Sequence, residues 1–172
     1  MVLKGALAVN GLQAERAGQA AVTLIVGLQL LEETVVDLDR VPHVLASPEA
    51  RWLGEATPSD DPSLRSFLCD LELHAGGSGR ALFRKAAVVS FGPPTRDGGR
   101  WVVPIEWRAA TMTALFPVFA GQLRIESDRI ELDGRYAPPA GRLGYLLDVA
   151  LVGAAARQTG RWFLRELAAA LA

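Results

Sequence analysis

Between Ser66 and Tyr136 three stretches, Ser66 to His74, Trp101 to Ala109 and Arg129 to Tyr136, alternate apolar and polar residues, and after Ala137-Pro138-Pro139 the spacing lengthens to that of a helix. This change constrains the fold more than any other feature. Alternation with one polar face describes strands of an antiparallel sheet that is wet on one side and covered on the other. The amphipathic stretch after it is the only element long enough to do the covering. In Ser66 to His74, Phe67, Cys69, Leu71 and Leu73 share a face, with Ser66, Asp70, Glu72 and His74 opposite. Ala81 to Phe91 reads as the next strand, stopped by Gly92-Pro93-Pro94. Arg96-Asp97-Gly98-Gly99 reads as a hairpin turn, because glycine supplies the positive φ that tight turns need. Trp101 to Ala109 brings Trp101, Val103, Ile105 and Trp107 together, and Pro104 within it predicts an edge strand or a bulge. Leu115 to Glu126 and Arg129 to Tyr136 form a last hairpin through Ser127-Asp128, with Ile130, Leu132, Gly134 and Tyr136 on one face. The closing helix is expected over Ala140 to Leu171, with Leu143, Leu147, Leu151, Ala154, Leu164, Leu167 and Leu171 near one stripe, weakened by Gly153 and Gly160.

Ahead of this run, Leu28 to Leu38 is rich in apolar and β-branched residues and reads as a strand. The spacing of Val41, Val44 and Leu45 predicts a short helix. Ser47 as a cap and Pro48 at the first helical position predict a second one, Pro48 to Ala56. Thr57 to Pro62 is a loop by composition. A length of 172 residues suits one domain, and a hydrophobic content of 50% supplies its core. Residues 1–27 carry no clear period and are expected to pack as an extension on a domain formed by 28–172. The expected class is α+β: a curved antiparallel sheet around a long C-terminal helix, with two short helices after the first strand closing one end. A bent sheet gripping a helix leaves apolar space between them, because side chains do not fill a wide concave face completely.

Four segments carry a resemblance at this point. Val35-Val36-Asp37 leading into Leu38-Asp39-Arg40-Val41 looks like a first strand feeding a first helix, and Ser47-Pro48-Glu49-Ala50-Arg51-Trp52-Leu53 like a turn into a second. Glu131-Leu132-Asp133-Gly134-Arg135-Tyr136, followed by Ala137-Pro138-Pro139-Ala140-Gly141, looks like a last strand running into the terminal helix. Leu115 to Gly121 resembles a strand of bacterial members of the same group. Over about residues 28–171 the chain resembles the START-like, polyketide-cyclase-type (SRPBCC) superfamily, whose architecture is the helix-grip fold. Pro42 departs from the pattern, standing where members have a large residue, so a short or distorted first helix is expected. Residues 1–27 have no counterpart. The resemblance implies binding of a small hydrophobic molecule (a lipid, a polyketide-like or an aromatic compound) and permits an enzyme of the cyclase or aromatase kind. It brings no cofactor.

The residues themselves carry no catalytic or metal signature. Cys69 is the sole cysteine and lies on an apolar face, so it reads as a small buried hydrophobe rather than an activated nucleophile. His43 and His74 fall in separate elements and make no metal-ligand set. Gly76-Gly77-Ser78-Gly79 lacks the Gly-Lys-Ser/Thr ending of a phosphate loop and reads as a turn. Asp148, Arg157, Arg161 and Arg165 belong to the wet face of the long helix. A net charge of -1 argues against a nucleic-acid partner. Ala20 to Leu31, interrupted by Thr23 and Gln29, falls short of the ~20 residues needed to span a bilayer, so no integral membrane association and a cytoplasmic location are expected. A homodimer through an exposed sheet edge stays open. The expected ligand wall is Phe67, Leu71, Val103, Trp107, Phe119 and Tyr136 from the sheet, with Leu147 and Leu151 from the helix. Two alternatives stand beside it. An enzyme would need an inward acid or base such as Glu106, Arg108 or Asp70, which alternation points outward; an interaction protein would have its core filled by its own aromatics.

Overall fold

The computed structural model describes residues 26–47, 50–59, 61–74, 81–111, 118–137 and 149–172. The elements are β1 (Val26–Glu33), α1 (Val41–Ala46), β2 (Glu55–Thr57), β3 (Arg65–His74), β4 (Ala81–Phe91), β5 (Thr95–Asp97), β6 (Arg100–Ala109), β7 (Val118–Ile125), β8 (Arg129–Ala137) and α2 (Val149–Leu171). The strands form one curved antiparallel sheet in the order β1-β8-β7-β6-β4-β3-β2, with β5 beside β6. The class is α+β. The meander from β2 onward keeps neighbours in sequence next to each other, while β1 crosses to the far edge and pairs with β8 from Val26↔Tyr136 to Glu33↔Arg129.

The alternation read from the letters is the division between the two faces. Phe67, Cys69, Val89, Phe91, Val103, Ile105, Trp107, Phe119, Leu123, Ile130, Leu132 and Tyr136 are buried, while Leu68, Asp70, Glu106, Arg108, Gln122 and Arg135 between them are exposed. On the wet face Arg124 reaches Asp133 at 3.3 Å and Glu131 at 3.6 Å, half-buried surface pairs worth about 0–1 kcal/mol each. The covered face receives α2, which packs against β1, β8 and β3. Phe163, Leu164, Leu167 and Leu171 are fully buried, and Arg157, Arg161, Arg165 and Glu166 are exposed on its other side. The 23 residues of α2 span about 35 Å. The earlier start expected at Ala140 falls outside the described residues, as do residues 1–25. Asp37 N–H donates to the Leu171 carbonyl at 2.9 Å and the Arg40 side chain to that of Ala172, which ties the end of α2 to the segment after β1.

Four expectations are corrected. The second short helix, Pro48 to Ala56, is not formed: Trp52 to Gly54 bend, and Glu55–Thr57 is β2, paired with β3 from Glu55↔Leu68 to Thr57↔Ser66. Pro48 and Glu49 themselves lie outside the described residues. The capping signals were local, and two tertiary demands outweigh them. The Trp52 indole N–H donates to the Val44 carbonyl at 2.8 Å, and Gly54, at φ 155°, lies where a Cβ would strike the Leu68 carbonyl. The first strand ends at Glu33 rather than Leu38, because Thr34 and Val36 donate instead to the carbonyls of Asp128 and Ser127 in the β7–β8 turn. Pro104 does not mark an edge strand, since β6 lies inside the sheet. It sits where β6 exchanges β4 for β5 as its neighbour; Gly92 N–H still donates to the Pro104 carbonyl at 2.9 Å, and the ladder bond that proline cannot return is lost at the point where β4 leaves. Gly160, read as a weakness, is buried against β1: a Cβ there would strike Leu30 and lie 3.5 Å from Leu132 Cδ2. Pro42 is accommodated near the start of α1, where a helix has no use for its N–H. Among the described residues no helix is long and apolar enough to cross a membrane.

The Gly160 contact is a point of intimate helix–sheet packing. Gly160→Leu is expected to overpack it and to lower unfolding free energy by about 1–3 kcal/mol, measured by urea denaturation with helix content followed in parallel. An unchanged midpoint would mean that the helix does not press on β1 there.

Candidate functional site

Strand register sets Val26, Tyr136, Phe119, Trp107, Val89 and Phe67 side by side in one row across the covered face. Four of the expected wall residues, Phe67, Trp107, Phe119 and Tyr136, are therefore neighbours in a single rank, all buried. Trp107 stacks on Phe119 with ring centroids 4.0 Å apart and planes at 17°. The stack needs a flat bed, which two paired glycines provide. A Cβ on Gly134 would fall 2.6 Å from the Ala120 carbonyl, and one on Gly121 would fall 2.9 Å from Phe119 Cζ.

The interior differs on the two sides of this row. Toward the C-terminal end of α2 it is filled with rings: Phe163 lies 5.8 Å from Trp107 and 6.2 Å from Phe91, and Phe91 meets Phe67 edge-on at 5.9 Å. Trp52 closes the group, 5.8 Å from Phe163. Such pairs contribute about 0.5–1.5 kcal/mol each beyond the area they bury. Val103, another expected wall residue, is fully buried two ranks into this filled half, opposite Leu123. On the other side of the row the next rank is Cys69, Ala87 and Ala109, in register on β3, β4 and β6 and all buried. Large rings give way to a thiol and two methyl groups in one step. The side chains of Leu71 and Leu151, and the whole of Leu147, lie outside the described residues.

Two hydroxyls in the interior meet no hydrogen-bond partner among the described residues: Tyr136 Oη, in the row, and Thr159 Oγ1, one helical turn before Phe163 on α2. Both residues are at most 5% exposed. Burial pushes the Tyr136 phenol above its ordinary pKa, and the nearby Arg157 charge offsets part of the rise. The phenol therefore remains a neutral donor through the physiological range. Tyr136 and Cys69 are legible in the sequence as residues of the covered face, but Thr159, Ala87 and Ala109 do not stand out there. Alternation does put Ala87 and Ala109 on the covered face, but an alanine there reads as filler, and Thr159 is hidden in an apolar stripe.

The interior holds no charged side chain among the described residues. Glu106, Arg108 and Asp70 are exposed on the opposite face, as alternation implied. His43 is exposed on α1, and no group of three or more metal-ligating side chains occurs among the described residues. The Cys69 thiol is pushed up to about 12, chiefly by burial and further by Asp70. Two surface hollows lie along the β2–β3 edge. One, of about 300 Å³, is bounded by Thr57, Asp61 and Arg65. The other, of about 460 Å³, lies between Arg51–Glu55 and the Leu68–Asp70 stretch of β3. No protein-family model and no curated protein matches this chain.

Two outcomes follow from this geometry. Cys69 should resist thiol reagents at pH 8 in the native protein and react only on unfolding. Its raised folded-state pKa makes its contribution to stability complete below the ordinary thiol value of 9.0, and that contribution is lost as pH climbs toward about 12. Gly134→Ala should push Phe119 off its bed and cost about 1–3 kcal/mol, with a shift in tryptophan emission as Trp107 loses its stacked partner.

Proposed function

We propose that this chain is a helix-grip protein of the START-like kind that takes a small hydrophobic molecule, such as a lipid, a polyketide-like or an aromatic compound, into its interior beyond the Trp107–Phe119–Tyr136 row. The sheet order supports the architecture, with the first strand beside the last and the terminal helix across the covered face. The observation that carries the binding reading is the step from rings to Cys69, Ala87 and Ala109. Side chains of that size leave volume between a bent sheet and a helix where the aromatics next to them fill it. Pockets for small molecules are mostly apolar with a few placed polar groups, and the two unpartnered hydroxyls are of that kind. Burying 200 Å² of ligand would contribute about 5 kcal/mol before ordering costs. A cyclase or aromatase role would require an acid or base in the interior; the interior as described offers neutral hydroxyls, which favours binding over catalysis.

A second reading rests on the packing of α2 against β3. In it, the small residues exist to let the helix come close and the core is filled throughout, so the protein works through its outer surface. Ala109→Leu separates the two. If space lies over Ala109, the variant keeps or gains stability and loses ligand; if the helix closes on it, overpacking costs about 1–3 kcal/mol. Mass spectrometry of organic extracts from the purified protein should recover a stoichiometric apolar compound from the native chain and none from Ala109→Leu. Absence from both, together with a destabilised variant, would leave the second reading.

A further inference from the structure

We propose that the guest of this interior carries a neutral hydrogen-bond acceptor, a ketone, quinone or ester carbonyl, and that the Tyr136 hydroxyl donates to it. The inference rests on the cavity reading above and gives it a ligand class. Buried side-chain polar atoms in folded proteins nearly always have partners, and an orphan calls for a cause. Tyr136 Oη, in the apolar core, and Thr159 Oγ1, buried on α2, are both orphans among the described residues. Phenylalanine and valine are close in shape to tyrosine and threonine and would fill the same positions without leaving a polar atom unpaired, so packing alone does not explain the hydroxyls. A ligand that accepts a hydrogen bond does.

The surroundings choose among acceptors. Tyr136 is in register with Phe119, which stacks on Trp107, so the donor belongs to an apolar row rich in rings, which suits an aromatic body. The interior offers no charged side chain among the described residues. An ionised carboxylate would enter a medium of low dielectric with only hydroxyls to meet it, which is strongly unfavourable. Arg157, the nearby cation, is exposed to solvent on the outer side of α2. A carbonyl needs only the donor that is there.

The test uses the full chain and three probes of one shape: 2-acetylnaphthalene, 2-ethylnaphthalene and 2-naphthoate, titrated by ligand-observed NMR. The native protein is expected to bind the ketone about five- to tenfold more tightly than the hydrocarbon, the range for one well-placed hydrogen bond, and to bind the carboxylate most weakly. Tyr136→Phe should keep the hydrocarbon affinity and lose the preference for the ketone. The ligand-free variant should melt at or above the native temperature, because an unpaired buried hydroxyl has been removed. Equal affinity for ketone and hydrocarbon would overturn the inference and leave the cavity reading intact, as expected if a trapped water alone serves Tyr136. So would preference for the carboxylate, or a clear drop in melting temperature for ligand-free Tyr136→Phe. Failure of all three probes to bind would remove the cavity reading and this inference together.

Discussion

The structure depends on the burial of one stripe of α2 against the concave side of the sheet. Phe163, Leu164, Leu167 and Leu171 lose nearly all contact with water. At ~25 cal/mol per Å², each such side chain contributes about 1.5–3 kcal/mol. The absence of a side chain at Gly160 brings the helix down onto Leu28, Leu30 and Leu132. Among the described strands β1 pairs only with β8, and its inner face is covered because the helix crosses it. The segment after β1 is in turn tied to the end of that helix through Asp37 and Arg40. First strand and last helix therefore hold each other in place, although they lie at opposite ends of the described chain.

That grip divides the interior. Where the helix ends, rings from β3, β4, β6 and α2 interlock with Trp52 from the loop before β2. The gap between a bent sheet and a straight helix is not constant, and close packing demands side chains matched to it. Aromatics meet that demand on one side of the Trp107 row; on the other the chain supplies Cys69, Ala87 and Ala109. The functional reading turns on this contrast, and the orphaned hydroxyls of Tyr136 and Thr159 give it a chemical direction. A protein that keeps unpaired polar groups in its core gives up stability there, and such local violations tend to coincide with sites of function.

β3, β6 and β8 are legible nearly to their ends, because alternation is a property of successive residues and needs no partner to be seen, whereas β5, Thr95–Asp97, falls partly on the Arg96-Asp97-Gly98-Gly99 stretch that reads as a turn. Phe67, Trp107, Phe119 and Tyr136 were assigned to the covered face for the same reason. That they stand in a single rank was not visible, since rank is set by pairing register between strands far apart in sequence. The helix expected over Pro48 to Ala56 had good local signals and failed: β3 had an open edge to pair, and Trp52 had a carbonyl to reach on α1.

The sequence by itself determined the class of the fold, the faces of the alternating strands and the burial of Leu164, Leu167 and Leu171 on the terminal helix, because each is written in the spacing of apolar residues along the chain. Only the tertiary structure decided which residues meet. It made Gly160 a contact instead of a flaw, set Pro104 at a change of strand neighbour, and left Tyr136 and Thr159 buried without hydrogen-bond partners among the described residues. Those outcomes depend on distances between segments that sequence order does not encode, and hydrogen-bond satisfaction in particular can be counted only when every neighbour is in place.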